Sequence, residues 1–348
     1  MAPTTSAPVL VTGPTGFIGA HVALDLLQHG YRVRGTVRSQ KKFDQLVAQP
    51  EFAKYRDHFE AVVVEDLATG DFSEAVKGVE VVIHTASPNS LGAENPEETF
   101  LKPAIEGTKN VVNAAVKSGT VRNIVVTSSL GAVFSMDDGL PFPEPAPRTY
   151  TDKDWNKATY EEAVQSSMPG FAYSASKVLA EQAAYDVVKQ SGKPIKVTTL
   201  CPPLVFGPYV HVVDKLANLG ESLDQLWHVV SGRCGKDVPQ TFFPALTDVR
   251  TLATAHRLAF ERDQEGRFLI SNGAYDWAQA VDVARKYFPE QAKNTPDPKD
   301  SDRILGNPKL FKLDNTKSKE LLGLEYGPVE EVLKDTIGHL YQEREQGK

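Results

Sequence analysis

In Tyr173-Ser174-Ala175-Ser176-Lys177, a tyrosine and a lysine lie four residues apart. On a helix that spacing puts both on one face, so the ammonium can sit near the phenol. A free tyrosine titrates near pKa ~10, and bringing it to neutrality takes ~4 kcal/mol. One lysine charge at about 4 Å, with an effective dielectric of about 20, supplies on the order of 4 kcal/mol. The pair is therefore sufficient to make a proton-transfer tyrosine, with Lys177 lowering the phenol pKa. Upstream, Thr127-Ser128-Ser129 closes an apolar run and offers hydroxyls that can polarise a carbonyl oxygen. Hydride and proton transfer at a carbonyl is the chemistry these groups suit.

The hydride source is read from Thr12-Gly13-Pro14-Thr15-Gly16-Phe17-Ile18-Gly19. This run follows a strand pattern and opens a helix pattern. Gly13 permits the tight turn, Gly16 admits a pyrophosphate, and Gly19 packs helix on strand, with the helix N-terminus facing the phosphates. An acid at the end of the second strand would select NAD. Gly35-Thr36-Val37-Arg38-Ser39-Gln40-Lys41-Lys42 has none, and Arg38 and Lys42 can instead clamp a 2′-phosphate. NADPH is the expected cofactor. Asp66 and Leu67 end the third strand, where the carboxylate can accept the adenine amino group. His84-Thr85-Ala86-Ser87-Pro88 ends the fourth, with small residues beside the nicotinamide ribose and His84 as a packing residue.

The elements that must position these groups alternate short β-branched runs with amphipathic stretches, the pattern of a parallel sheet with crossover helices. Strands are expected at Pro8–Thr12, Tyr31–Val37, Ala61–Val64, Val79–His84, Val121–Thr127 and Ile195–Leu200. Helices are expected at Phe17–His29, Gln40–Ala48, Phe72–Val76, Pro96–Ser118 and Ala172–Gln190, making a doubly wound α/β fold of the Rossmann type. Pro141 to Arg148 holds four prolines and reads as an ordered extended loop. After Pro202 the rhythm changes to helices at Leu216–Ser231, Leu252–Glu261, Trp277–Tyr287 and Val329–Gln342, with a short strand at Phe268–Ser271. We expect a dinucleotide-binding domain over 1–200 with returning segments near 240–272. A smaller interleaved lobe for substrate would take 201–239 and 273–348.

The 348 residues are 41% hydrophobic and 24% charged, the balance of an ordinary globular protein. A net charge of −7 argues against nucleic acid or anionic membrane as a partner. Cys201 and Cys234 form neither a disulfide framework nor a zinc-ligand spacing. Met1 to Pro8 lacks the features of a secretory leader, and no apolar stretch reaches the ~18 residues of a membrane span. A cytoplasmic monomer or homodimer acting on a small-molecule carbonyl is the expectation.

The glycine run, Thr127-Ser128-Ser129 and Tyr173-x-x-x-Lys177 together resemble the extended short-chain dehydrogenase/reductases. Val37-Arg38-Ser39-Gln40, Val205-Phe206-Gly207-Pro208, Asp248-Val249-Arg250 and Lys317-Ser318-Lys319-Glu320-Leu321-Leu322-Gly323 narrow the resemblance to the dihydroflavonol-reductase-like branch, nearest its fungal NADPH-dependent ketoreductases and methylglyoxal reductases. The resemblance implies Ser129, Tyr173 and Lys177 as a catalytic triad, with Ser128 the lesser serine. It implies cofactor contacts at Phe17, Ile18, Arg38, Lys42, Asp66, Leu67, Thr85, Ala86, Thr127, Pro202, Pro203, Leu204, Val205 and Ser222. Two departures stand out: Cys201 replaces a usual asparagine before Pro202, and Thr251 a usual aspartate after Arg250.

Phe134, Tyr209, Val210, Leu223, Trp227 and Phe243 are candidate substrate-lining residues, an apolar set suited to alkyl or aryl ketones. No basic cluster grips a phosphate on that side, leaving only His211 and Arg233. An NADPH-dependent carbonyl reductase leads. A flavonoid or steroid oxidoreductase of the same branch and a non-catalytic NADPH-sensing regulator are the alternatives. Arg38 argues against a sugar-nucleotide epimerase, which would hold NAD.

Overall fold

Strands buried on both faces read as unbroken apolar runs, and two such runs, β1 (Val9–Thr12) and later Val81–His84, are buried at every position. The structure, a computed structural model, describes residues 4–87, 95–168, 170–216 and 219–347. From β1 the chain enters α1 (Phe17–Gln28), then β2 (Val33–Val37), α2 (Gln40–Val47), α3 (Pro50–Ala53) and β3 (Phe59–Val63). There follow β4 (Val81–His84), α4 (Lys102–Ser118), β5 (Asn123–Thr127), β6 (Thr149–Tyr150), α5 (Tyr160–Gln165), α6 (Phe171–Ser191) and β7 (Lys196–Cys201). The remainder comprises β8 (Leu204–Phe206), α7 (Glu221–Val230), β9 (Leu246–Asp248), α8 (Val249–Glu261), β10 (Gly266–Leu269), α9 (Trp277–Tyr287), β11 (Lys312–Leu313), α10 (Thr316–Leu322) and α11 (Val329–Glu345).

Seven strands form one parallel sheet in the order β10-β7-β5-β4-β1-β2-β3. The order reverses between β1 and β4, which opens a crevice at their carboxyl ends. That crevice is where the glycine run, the β4 end and the β5 end meet. One apolar layer packs α1 and α8 on one sheet face, and another packs α4 and α6 on the other. A separate apolar cluster holds α7, α9 and α11 together. Two parallel strand pairs, β8 with β9 and β6 with β11, stand outside the main sheet. Among the described residues, no helix is long and apolar enough to cross a membrane.

The expected doubly wound fold is present, with β10 as a seventh strand. Phe72–Val76 is not a helix: it lies in a run of turns in which the Val76 amide donates to the Phe72 carbonyl at 3.0 Å. Phe72, Ala75 and Val76 are buried at helical spacing, but the chain tightens at once into three-residue turns, with the Lys77 amide on the Glu74 carbonyl and the Val79 amide on the Val76 carbonyl. The helix expected over Leu216–Ser231 is Glu221–Val230, started by Gly220 at φ 83°, and positions 217–218 lie outside the described residues. Pro88 also lies outside them. Pro141 to Arg148 runs without helix or strand, as expected.

Candidate active site

The glycine run makes the turn its spacing predicts. Gly13 sits at φ 70°, and a Cβ on Gly19 would lie 2.2 Å from the Gly13 carbonyl oxygen. Only hydrogen fits between helix and turn at that point. Gly16 starts α1 with no side-chain cap and no acid in the first turn. The amides of the first turn therefore point into the crevice unpaired by any side chain, an arrangement suited to phosphate.

At the far end, Arg38 and Lys42 are exposed, and neither side chain forms an ion pair among the described residues. Two free cations beside β2 suit a 2′-phosphate and offer nothing to a ribose hydroxyl pair that an acid would do better. Ser39 caps α2 by accepting from the Lys42 amide at 3.3 Å, which fixes the Lys42 backbone. Asp66 accepts from the Thr69 amide and hydroxyl at 2.7 and 2.8 Å, bonds that hold its carboxyl below the usual range. One of its oxygens is thus engaged by its own turn.

All these groups border one cleft of about 1040 Å³. It is lined by Gly13, Thr15, Gly16, Phe17, Ile18, Gly19, Arg38 and Lys42. Asp66, Leu67, Thr85, Ala86, Ser87, Thr127, Ser129, Tyr173 and Lys177 follow along its floor, and Pro202, Pro203, Leu204, Val205 and Ser222 close it. Every residue expected at the cofactor is there. The residues present fit a dinucleotide with a 2′-phosphate.

The two serines after β5 separate cleanly. Ser128 is buried and donates to Glu181 Oε2 at 2.6 Å. Ser129 faces the cleft, accepts from the Gly131 amide at 3.1 Å and lies in hydrogen-bonding relation to Tyr173. Thr127 is committed as well. His256 Nδ1 contacts the Leu252 carbonyl at 2.8 Å, so it carries the ring proton, and Nε2 must accept from the Thr127 hydroxyl at 2.7 Å. His84 packs between Thr12 (2.8 Å) and Thr108 (3.2 Å), as a packing residue should.

Tyr173 departs from expectation. Burial pushes its phenol up, the Glu221 carboxylate adds to that, and the Ser129 hydroxyl opposes both. Lys177 does not lower it, for a geometric reason: the ammonium stands 5.1 Å from the ring centroid, over the face, and donates to Ser87 Oγ at 2.6 Å. A cation over the ring face steadies the ring rather than a phenolate oxygen. The phenol is held neutral, the form that donates a proton. Burial pushes Lys177 itself down to about 8, with Glu221 resisting.

On the substrate side, Phe134, Leu223 and Phe243 line the cleft, and Phe134 stacks on Phe243 at 5.8 Å. Tyr209, Val210 and Trp227 do not reach it. Tyr209 turns away to donate to Glu343 Oε2 at 2.6 Å, Trp227 packs edge-on against Tyr341, and Val210 lies against the α1–α8 core. Their apolar character serves packing. Arg233 pairs with Asp224 at 3.2 Å, and neither it nor His211 lines the cleft. Glu221, Leu219 and Gly131 do line it and were missed. Tertiary folding alone brings the start of α7 to the cleft, and no local spacing signals it.

The sequence profile of the 3-beta hydroxysteroid dehydrogenase/isomerase family matches residues 10–238. The chain belongs to this family. An uncharacterized oxidoreductase of Schizosaccharomyces pombe is 40% identical over 346 residues, 98% of each chain. Ketoreductase azaE of Aspergillus niger is 32% identical over 349 residues, 96% of this chain and 98% of its own. The structure of yeast methylglyoxal/isovaleraldehyde reductase Gre2 complexed with NADPH superposes with a TM-score of 0.84 at 29% identity, covering 97% of this chain and 99% of that one. The resemblance to fungal ketoreductases of the extended short-chain dehydrogenase/reductases is borne out. In this family member, the departure at Cys201 leaves the thiol buried beside Glu181 and Arg267, where burial pushes it up and out of reaction. At the other departure, Arg250 bridges Asp248 (2.6 Å) and Asp335 (2.9 Å), so no further acid is needed at Thr251.

Proposed function

We propose that the protein is an NADPH-dependent carbonyl reductase that converts ketones and aldehydes to alcohols. The observation that carries this reading is continuity: one cleft joins an uncapped helix N-terminus and two free cations to a neutral, half-buried tyrosine, a hydroxyl and an ammonium. NADPH, when bound, supplies the hydride. The amides at the start of α1 would hold the pyrophosphate, and Arg38 and Lys42 the 2′-phosphate. Ser129 would donate to the substrate oxygen and polarise the carbonyl. Tyr173 would then give its phenolic proton to that oxygen as negative charge develops there. Lys177 would hold the nicotinamide ribose and, from over its face, keep the Tyr173 ring in place. Phe134, Leu223 and Phe243 would exclude water from the substrate end.

The division into a cofactor lobe and an interleaved substrate lobe belongs to the same proposal, supported by the separate α7–α9–α11 core. So does residence in a reducing cytosol, in keeping with two free cysteines and testable by fractionation. A regulator that only senses NADPH would have no use for Tyr173, Ser129 and Lys177 in one place. The deciding experiment follows NADPH and NADH oxidation with methylglyoxal, a β-ketoester, an aryl ketone and dihydroquercetin. Turnover with NADPH on the small carbonyls supports the reading, and turnover on dihydroquercetin alone would move it to the flavonoid reductases. Tight NADPH binding without turnover on any of them would overturn it.

A further inference from the structure

Five carboxylates border the cleft, and four of them are accounted for. Glu65 and Asp66 stand at the end of β3, on the adenine side. Glu98 and Glu106 are drawn to Lys102 (2.5 Å) and Lys109 (2.9 Å) along α4. Glu221 is different. It is the first residue of α7, comes from the second lobe, is half-buried, and forms no ion pair within salt-bridge distance among the described residues. Its one described hydrogen bond is a long one from Gln225 Nε2 at 3.4 Å. Its neighbours in the chain, Ser222 and Leu223, line the cleft with it, and Ser222 is anchored by the Val205 amide at 3.3 Å. Gly220, at φ 83°, makes the turn that brings this corner in.

Glu221 shares the cleft with the proposed reacting groups, Ser129, Tyr173 and Lys177. Its charge is felt by both the Lys177 ammonium and the Tyr173 phenol. Burial holds its own carboxyl above the usual range, and Lys177 opposes that. The remaining cations near this end are occupied: Lys102 by Glu97 and Glu98, and Arg233 by Asp224. Arg38 and Lys42 lie beside β2 at the other end. Among the described residues, an anionic substituent on a substrate would therefore find no free cation at this end but Lys177. That ammonium is already opposed by Glu221, whose like charge would repel the substituent.

We propose that Glu221 is a specificity-determining residue: from α7 it steers the enzyme to carbonyl compounds whose other substituents are neutral or cationic, and turns away those bearing a carboxylate or phosphate. The inference rests on the reductase reading above and narrows its substrate class. A hydroxyl or ammonium on the substrate can donate to the Glu221 oxygens, while Phe134, Leu223 and Phe243 take the apolar part.

The test compares kcat/KM with NADPH for three ketones of one skeleton: levulinate, methyl levulinate and 5-(trimethylammonio)-2-pentanone, whose quaternary nitrogen cannot cyclise onto the ketone. Wild-type enzyme is expected to favour the ester and the cation over the carboxylate by about tenfold or more. Glu221→Gln should raise the levulinate-to-ester ratio by about tenfold, because the Lys177 charge is then uncovered, and Glu221→Asp should keep the wild-type ratio. Fluorescence titration with NADPH confirms that each variant forms the cleft. A ratio that moves less than about twofold in the Gln variant overturns the inference, as does a wild type that prefers levulinate, and both leave the reductase reading standing. Loss of NADPH turnover on every neutral carbonyl in the wild type instead defeats the reductase reading, and this inference falls with it.

Discussion

Tyr173 is more useful as a neutral phenol than as the ionised base its spacing to Lys177 first suggests. Reduction needs a proton at the moment hydride arrives, and desolvation keeps that proton on the phenol. Tyr173→Phe should lower kcat by about 10²–10⁴ and leave NADPH affinity within about twofold, since only the proton donor is lost. Single-turnover kinetics beside an NADPH titration separates the two effects, and near-native turnover would remove Tyr173 from the mechanism. Arg38 is the residue proposed to carry the cofactor choice. Arg38→Glu should raise KM for NADPH by at least about tenfold and bring NADH toward parity, because a free guanidinium is replaced by a charge that repels the 2′-phosphate. A wild type already indifferent to the two cofactors would defeat that argument.

At the scale of elements, α6, the helix that carries Tyr173 and Lys177, is pinned through charges that lie off the cleft. Glu181 on α6 is fully buried and accepts from Arg267 of β10 at 2.7 Å, Thr199 of β7 at 2.6 Å and Ser128 after β5 at 2.6 Å. The Arg267 guanidinium also stacks 3.6 Å over Trp155. This knot ties α6 to three strands of the sheet, near the point where Ser129 and Tyr173 face each other. Arg267→Met leaves a buried carboxylate with no counter-charge and should cost about 3–5 kcal/mol. The double change Arg267→Met with Glu181→Leu should recover most of that, because the uncompensated charge goes too. Urea midpoints report both, and a single variant within about 1 kcal/mol of wild type would show the knot is not what holds α6.

For the whole molecule, three buried histidines and the half-buried His211 make stability depend on pH. His21, His84, His211 and His256 are each held down from 6.5 to about 4, by burial first. The unfolded chain protonates them as pH drops below about 6.5, while the folded chain resists until about 4. Their contribution is therefore whole above about 6.5 and lost as pH falls toward 4, with up to about 3 kcal/mol at stake for each. Urea midpoints should be flat from about pH 8 to 7 and fall steeply from about 6 to 4.5. A flat profile down to about pH 5 would show these rings stay accessible to protons in the fold.

How far residue spacing reaches can be judged from particular positions. The Gly13–Gly16–Gly19 interval, the free cations after β2, the hydroxyls after β5 and the Tyr173–Lys177 turn are local relations. Each constrains its neighbours within one turn or one strand end, and a parallel sheet collects strand ends at one edge. Those positions were legible, and all of them line the cleft. Tyr209 and Trp227 were not. An aromatic at helical or loop spacing looks alike whether it faces substrate or the α7–α9–α11 core, and packing between distant segments chooses. The same holds for charge. Lys177 stands over the Tyr173 ring rather than at its oxygen, and Glu221 arrives from a helix some fifty positions on. Desolvation and the sum of surrounding charges are properties of the folded volume, so the protonation state of Tyr173 emerges only once α6 and the start of α7 are in place around the cleft.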